Sequence, residues 1–219
     1  RIPVPGARLW WPNGYGDANL YRVTARLTCA GETLAERTER VGVRTVAVDR
    51  TASAGVPHPL GSRGPTVCRY DEPPDPDGHF VFRVNNEPIM VRGTNWVPLD
   101  AFHSRDAGRL PEAIALAEDL GCNMIRCWGG NVYEDHAFFD LCDEKGILVW
   151  QDFVFACCRY PQDDAFLERV RDEAETVVRR LRNHPSLALW CGDNEIDECY
   201  ASDGLSPEHN RISREVLPR

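Results

Sequence analysis

The stretch Leu187-Ala188-Leu189-Trp190-Cys191-Gly192-Asp193-Asn194-Glu195 is a short apolar run that stops in a polar cluster ending in a carboxylate. A run of this length that is hydrophobic on both faces predicts a central strand of a parallel sheet, with helices on both sides. Asn194 and Glu195 then follow the carboxyl end of the strand, which is where ligands bind in sheets of repeated strand–helix units. Glu195 is therefore the leading candidate for a catalytic acid.

Three strand–helix pairs precede this stretch. The predicted strands cover Ile89 to Asn95, Asn123 to Cys127 and Ile147 to Gln151. Each is followed by an apolar stripe at helical spacing, and Gly121 and Gly146 end the first two helices. Such units give either a doubly wound sheet or half of an eight-stranded barrel. Because no nucleotide-binding glycine pattern follows any strand, we predict an α/β fold, the first half of a (β/α)8 barrel.

Residues 1–49 follow a different pattern. Alternate residues from Tyr21 to Cys29 are apolar, which predicts a half-buried strand, and Thr33 to Asp49 predicts further strand material. These segments predict the last strands of an antiparallel sandwich, with a hairpin packed on the next domain as the alternative. Residues 50–79 are rich in Pro and Gly and predict a linker or insertion, so the predicted domains are 1–49 and 80–219.

The composition limits the partners. The net charge is −9 and the pI about 5.2, which argues against nucleic acid or an anionic membrane. No apolar stretch approaches the roughly 20 residues that span a bilayer. Nine cysteines without a Cys-x-x-Cys pair indicate reduced thiols, and hence a cytoplasmic protein. The first residues lack an initiator Met and a signal peptide, so we expect the chain to begin inside a longer one.

The ends of the four predicted strands supply the candidate site. They carry aromatic, guanidinium, carboxylate and amide groups, which suit a polyhydroxylated ligand. The candidates are Trp96, Arg126, Trp128, Asp152, Asn194 and Glu195. Trp96 and Trp128 could equally be core side chains, Arg126 could hold a carboxylate, and Asp152 could make a structural hydrogen bond. His103, His136 and His184 are not at metal-ligand spacing in the sequence, so we expect no metal site and no cofactor.

Five motifs carry a family resemblance. They are Leu9-Trp10-Trp11-Pro12-Asn13-Gly14-Tyr15-Gly16, Arg92-Gly93-Thr94-Asn95-Trp96-Val97-Pro98, Arg126-Cys127-Trp128-Gly129-Gly130, Trp150-Gln151-Asp152-Phe153 and Trp190-Cys191-Gly192-Asp193-Asn194-Glu195. In this order they resemble glycoside hydrolase family 2, and within it the beta-mannosidase-like branch. The resemblance covers most of the chain except residues 50–78 and those after about residue 200.

The resemblance implies a retaining exo-glycosidase. Residues 1–49 would be the tail of an immunoglobulin-like sandwich, and residues 80–219 the first half of the catalytic barrel. Glu195 would be the general acid/base, and Asn194 would bind the sugar 2-hydroxyl. Arg126, Trp128, Trp96 and Asp152 would line the subsite of the non-reducing sugar.

The resemblance also implies that the nucleophile is a Glu on a later strand, beyond Arg219. We therefore expect the chain alone to be inactive and to need the remainder of its own polypeptide. The expected substrates are terminal β-mannosides, with β-glucosaminides and β-galactosides next. The alternatives are a non-catalytic carbohydrate-binding or structural fragment of the same family, or a doubly wound binding domain.

Overall fold

The structure, a computed structural model, describes residues 3–51 and 79–218. Two antiparallel sheets come first. Strands β1 (Tyr21–Cys29) and β2 (Glu32–Val41) form a hairpin. Strands β3 (Val46–Thr51), β4 (His79–Val84) and β5 (Glu87–Ile89) form a second sheet in the order β3-β4-β5. Most of the insertion predicted at 50–79 lies outside the described residues, whereas β3 and β4 on either side of it pair directly.

The N-terminal strands differ from the prediction in two ways. The hairpin is exposed on both faces, with Leu27 and Leu34 each 62% exposed, so the expected half-buried face is wrong. The strand material predicted from Thr33 to Asp49 divides into β2 and β3, which belong to different sheets. Arg44, in the break, donates hydrogen bonds to the carbonyl oxygens of Pro185 (2.9 Å) and Leu187 (2.6 Å). These contacts with a distant part of the chain lie between the end of β2 and the start of β3.

Four parallel strands form the sheet that positions the site. They are β6 (Gly93–Trp96), β7 (Met124–Cys127), β8 (Leu148–Asp152) and β9 (Leu187–Cys191), hydrogen-bonded in that order. All three pairings are parallel, and the first half of an α/β barrel is confirmed. The strand predicted from Ile89 to Asn95 begins too early, because β6 begins at Gly93. The Asn123 side chain bonds the backbone of Met90 and Arg92, which separates β5 from β6.

Three α-helices connect the parallel strands, and a fourth follows the last of them. They are α1 (Leu110–Asp119), α2 (His136–Lys145), α3 (Asp164–Leu181) and the short α4 (Ile196–Ser202). The Asp163 carboxylate caps α3 by accepting a hydrogen bond from Phe166 N at 3.0 Å. Within the described residues, no helix is both long and apolar enough to cross a membrane.

Three apolar clusters of buried residues are found in the described part of the chain, and two of them contain residues of the parallel strands. Ile125 and Val149 of the sheet pack against Ile114, Phe138 and Leu181 of the helices. A second cluster joins Trp10 and strands β4 and β5 to Met124 and Leu148, the first residues of β7 and β8. The N-terminal segment therefore covers the amino ends of these strands, and the third cluster, with Phe153 and Ile196, lies beyond the carboxyl ends of β8 and β9.

The glycines after α1 and α2 offer a matched test of this packing. Gly121 and Gly146 both adopt left-handed conformations, with φ of 76° and 67°. A Cβ on Gly121 would meet nothing within 4 Å, whereas one on Gly146 would lie 2.8 Å from Asn13 N and 2.9 Å from Trp11 O. We expect Gly121→Ala to cost about 1–2 kcal/mol from backbone strain alone. Gly146→Ala should cost about 1–3 kcal/mol more, because the N-terminal motif must move.

Urea unfolding of both variants measures the difference. Equal losses of stability would show that Trp11 to Asn13 are not packed against the end of α2.

Candidate active site

The carboxyl ends of β7, β8 and β9 bring three of the candidate side chains together. Arg126 Nη2 donates to Asp152 Oδ2 at 2.7 Å and to Asn194 Oδ1 at 2.8 Å, and Arg126 Nε donates to Asp152 Oδ1 at 3.2 Å. The guanidinium therefore joins all three strands. It also lies over the Trp150 ring, 5.5 Å from the ring centroid.

Asp152 is the buried anchor of this network. Its exposed fraction is 0%, and both its oxygens are occupied. Besides the two bonds from Arg126, Oδ1 accepts from Trp150 Nε1 at 2.8 Å and Oδ2 accepts from Gly129 N at 3.0 Å. The hydrogen bonds expected from the structural alternative for Asp152 are therefore present, and its place in the sugar subsite stays a prediction. Its carboxylate has no free acceptor position, and it holds Arg126 and the backbone of the second loop in place.

Glu195 lies at the mouth of the same edge. It is exposed, immediately precedes α4, and has a left-handed backbone with φ of 60°. Asn194 is fixed from both sides, since its N–H donates to Phe155 O and its carbonyl accepts from Cys157 N, both at 2.9 Å. This bridge connects the turn after β9 to the loop after β8. A left-handed residue carries a cost, and such strain is concentrated at functional sites.

The Cys157 thiol contacts both polar candidates. Its Sγ donates to Glu195 Oε2 at 3.3 Å and accepts from Asn194 Nδ2 at 3.3 Å. The hydrogen bond to the Glu195 carboxylate raises the pKa of this thiol, and partial burial adds to the effect. Cys157, Tyr160, Glu195, Glu198 and Cys199 are among the residues lining an open cleft of about 720 Å³.

The two tryptophans occupy different environments. Trp128 is half-buried, and its ring lies so close to Gly130 that a Cβ there would overlap it. Trp96 is only 7% exposed and packs on Phe138 with ring centroids 5.1 Å apart. Its Nε1 donates to Glu134 Oε1 at 2.9 Å. Trp96 therefore packs in the core, which is the alternative given for it, and its place in the sugar subsite stays a prediction.

Comparison with known proteins identifies the family. Residues 1–44 match the description "Glycosyl hydrolases family 2", and residues 78–209 match "Glycosyl hydrolases family 2, TIM barrel domain". The chain belongs to glycosyl hydrolases family 2.

Curated and solved family 2 proteins are similar to it. Beta-mannosidase B of Aspergillus fumigatus is 40% identical over 200 residues, which are 90% of this chain and 21% of that protein. Beta-mannosidase of Capra hircus is 37% identical over 187 residues, 85% of this chain and 19% of that protein. The crystal structure of Beta-D-Mannosidase from Dictyoglomus thermophilum is 36% identical with a TM-score of 0.70, covering 96% of this chain and 24% of that one. The chain spans about a fifth of the length of the curated relatives it matches.

Several residues beside the six candidates also contact this site. Trp150 contacts both Arg126 and Asp152. Cys157 contacts Glu195. Its position after a predicted strand end was the available signal. Asp193 bonds Ile196 N at 3.2 Å and Asn210 Nδ2 at 3.2 Å, so it supports α4.

The three histidines lie beside other polar side chains. His103 lies beside Asp106 and Glu134, and His184 lies beside Asp140 and Asp143. His136 Nδ1 is 2.8 Å from His184 Nε2. The partners Glu134 of His103 and Asp140 and Asp143 of His184 are distant in sequence, so spacing along the chain does not reveal these groups, and the expected absence of a metal stays a prediction.

The Cys157 contact leads to a chemical prediction. Because the thiolate is the nucleophile and the Glu195 carboxylate raises the thiol pKa, Cys157 should react slowly with iodoacetamide at pH 8. Glu195→Gln should lower this pKa, increase the thiolate fraction and speed the reaction several-fold. Fragment-level mass spectrometry follows Cys157, with the neighbouring exposed Cys158 as the internal control for reagent access. An unchanged Cys157 rate, or an equal rise at Cys158, would contradict the contact.

Proposed function

We propose that the protein is a retaining exo-β-glycosidase whose first substrates are terminal β-mannosides. One observation carries the proposal: Glu195 lies exposed after the end of β9, beside an Asn194 whose amide oxygen accepts a hydrogen bond from Arg126, which is paired with the buried Asp152. Barrel enzymes build their sites at the carboxyl ends of their strands. The similarity to beta-mannosidases supports the choice of sugar.

Glu195 takes the general acid/base role. One of its oxygens accepts from Cys157, a weak thiol donor, and the described residues show no hydrogen bond to the other. As an acid, Glu195 protonates the glycosidic oxygen of the leaving group. As a base, it then removes a proton from the water that releases the sugar.

Asn194 positions the sugar. Asn194 is 9% exposed, and Arg126 donates to its Oδ1, so the amide NH₂ group is the part of the side chain that remains for a sugar. The contact of Nδ2 with the Cys157 sulfur is weak, since sulfur is a poor acceptor. A sugar hydroxyl would replace it at little cost, and the 2-hydroxyl of the terminal sugar is our assignment. Arg126 keeps the amide from rotating.

The nucleophile belongs, in this proposal, to a later strand of the barrel. Retaining hydrolysis needs a second carboxylate about 5–5.5 Å from the acid/base. Asp152 does not supply it, because four hydrogen bonds within the protein occupy its oxygens. The complete site would then require the rest of the family 2 barrel around this sheet.

The cellular setting that we propose is the cytoplasm. The eight cysteines in the described part of the chain are free, among them the exposed Cys157 and Cys158. Free exposed thiols suit a reducing compartment.

Neutral sugars also suit a chain with a net charge of −9, which would repel anionic ligands.

Hydrolysis of aryl glycosides by the natural full-length polypeptide tests the proposal. We expect kcat/KM for p-nitrophenyl β-D-mannoside to exceed the values for the β-D-glucosaminide and β-D-galactoside at least about tenfold. Proton NMR should show β-mannose as the first product. Initial α-mannose would exclude the retaining mechanism. Mannose binding without turnover would identify a carbohydrate-binding protein instead of an enzyme.

A further inference from the structure

A buried cluster of one histidine and two carboxylates lies between two loops of the barrel. His103 and Asp106 belong to the loop between β6 and α1, and Glu134 belongs to the loop between β7 and α2. Each residue offers a ligand atom, and these atoms lie within 4.8 Å of one another. Asp106 is 5% exposed and Glu134 is 3% exposed. Two carboxylates this close and this buried need a positive charge between them.

The imidazole of His103 lies between the two acids. Its Nδ1 is 2.9 Å from Asp106 Oδ2, and its Nε2 is 3.9 Å from Glu134 Oε2. The second distance is too long for a hydrogen bond. Glu134 Oε1 is already occupied by Trp96 Nε1.

An unpartnered oxygen distinguishes a bound cation from a simple proton. Asp106 Oδ2 accepts from His103 and from Leu99 N at 3.1 Å, whereas Asp106 Oδ1 is buried without any hydrogen-bond partner in the described structure. A proton on His103 would balance one charge but would leave Oδ1 unsatisfied. No Lys or Arg among the described residues forms an ion pair with either carboxylate. A divalent cation would balance both acids and satisfy this oxygen.

We propose that His103, Asp106 and Glu134 bind one divalent transition-metal cation of the zinc and manganese class. One imidazole nitrogen and two carboxylates form a donor set that such ions accept, with water completing the shell. Bonds of about 2.0–2.2 Å place neighbouring ligand atoms about 3–3.5 Å apart. Only one nitrogen of the His103 ring can bind the ion, and the ligand atoms of the three residues lie within 4.8 Å of one another, so the side chains must draw together when the ion binds.

The ion would have a structural role next to the active site. It would tie the loop after β6 to the loop after β7. Through the bond between Glu134 and Trp96, it would also fix the last residue of β6. Glu195 and Asn194 are not part of the cluster, so this proposal does not rest on the proposed glycosidase activity.

Metal titration of the natural full-length polypeptide tests the site. After dialysis against EDTA, calorimetric titration with ZnCl₂ and MnCl₂ should reveal one more binding site in the parent protein than in His103→Gln or Asp106→Asn. The melting temperature of the parent should rise with metal concentration, and that of the variants should rise less. Glu134→Gln is a further variant, because its amide oxygen can still accept from Trp96.

Asp140→Asn is the matched control. Asp140 belongs to the other carboxylate–histidine group, where Arg40 already pairs with it at 2.9 Å, so its loss should leave the metal stoichiometry unchanged. Equal stoichiometry in the parent and in whichever of the three cluster variants fold would overturn the proposal. The cluster would then be a protonated histidine between two acids, with water at Asp106.

Discussion

Glu195→Gln is expected to lower kcat/KM for an alkyl β-mannoside about 10³-fold in the full-length polypeptide. General acid–base catalysis contributes about 10²–10⁴ to enzymatic rates, and an amide cannot supply the proton. An alkoxide is a poor leaving group, so it depends fully on this proton. Binding should change little, because Gln keeps the size of the side chain and Asn194 with Arg126 remains in place.

The leaving group gives this prediction its internal control. A 2,4-dinitrophenolate leaves without protonation, so the first step on the dinitrophenyl β-mannoside should be nearly unaffected by Glu195→Gln. The second step lacks its base and becomes slow, which should produce a burst of dinitrophenol. Added azide needs no base, and it should restore turnover by forming the β-glycosyl azide.

Glu198→Gln is the matched variant. Glu198 is exposed and lines the same cleft as Glu195, three residues further along the chain. We expect it to change kcat/KM less than about threefold. If both variants lost activity equally on both substrates, a general effect of charge in the cleft would replace the acid/base assignment.

Sequence patterns predicted the helices and strands well where the structure depends on residues close together in the sequence. The apolar run at Leu187–Cys191 forms β9 with the predicted bounds, and Gly146 ends α2 in the left-handed conformation that a C-terminal glycine favours. The failures occurred where distant residues interrupt a strand. Arg44 bonds the carbonyl groups ahead of and within β9, and Asn123 bonds the segment between β5 and β6. Neither contact leaves a periodic signal.

The candidate site was likewise predicted only in part. Strand ends predicted that Arg126, Asp152 and Asn194 would meet, because parallel strands end at one edge, and the hydrogen bonds among them agree. The sequence did not predict which polar groups would be buried. Asp152 and Trp96 face inward, since Trp150, Gly129 and Glu134 offer them partners there. The grouping of His103 with Glu134 depends on two loops, which no spacing rule connects.

Asp152→Ala is expected to destabilise the sheet by about 3–5 kcal/mol. Removing one partner of a buried ion pair leaves an uncompensated charge, which costs about that much. Here the Gly129 N–H and Trp150 Nε1 also lose their acceptors. The Arg126 side chain is 26% exposed and retains Asn194, so we expect a value in the lower half of the range.

Hydrogen exchange measures this effect locally in the full-length protein, without assuming that all domains unfold together. Amides of β7 and β8 should lose about 3 kcal/mol of protection in Asp152→Ala. Glu175→Ala is the control, because the exposed pair that Glu175 forms with Arg179 should contribute less than about 0.5 kcal/mol.

A double-mutant cycle with Arg126→Met separates the pair from the rest of the network. If Asp152 mainly holds Arg126, the double variant should recover part of the loss, because the unpaired charge is gone while Gly129 and Trp150 still lack an acceptor. A loss below about 1 kcal/mol in Asp152→Ala, accompanied by a large rise in KM, would instead restore Asp152 to the sugar contact that the motif implied. The Arg126–Asp152 pair is thus the support on which Asn194, and with it the sugar-binding role assigned to Asn194, depends.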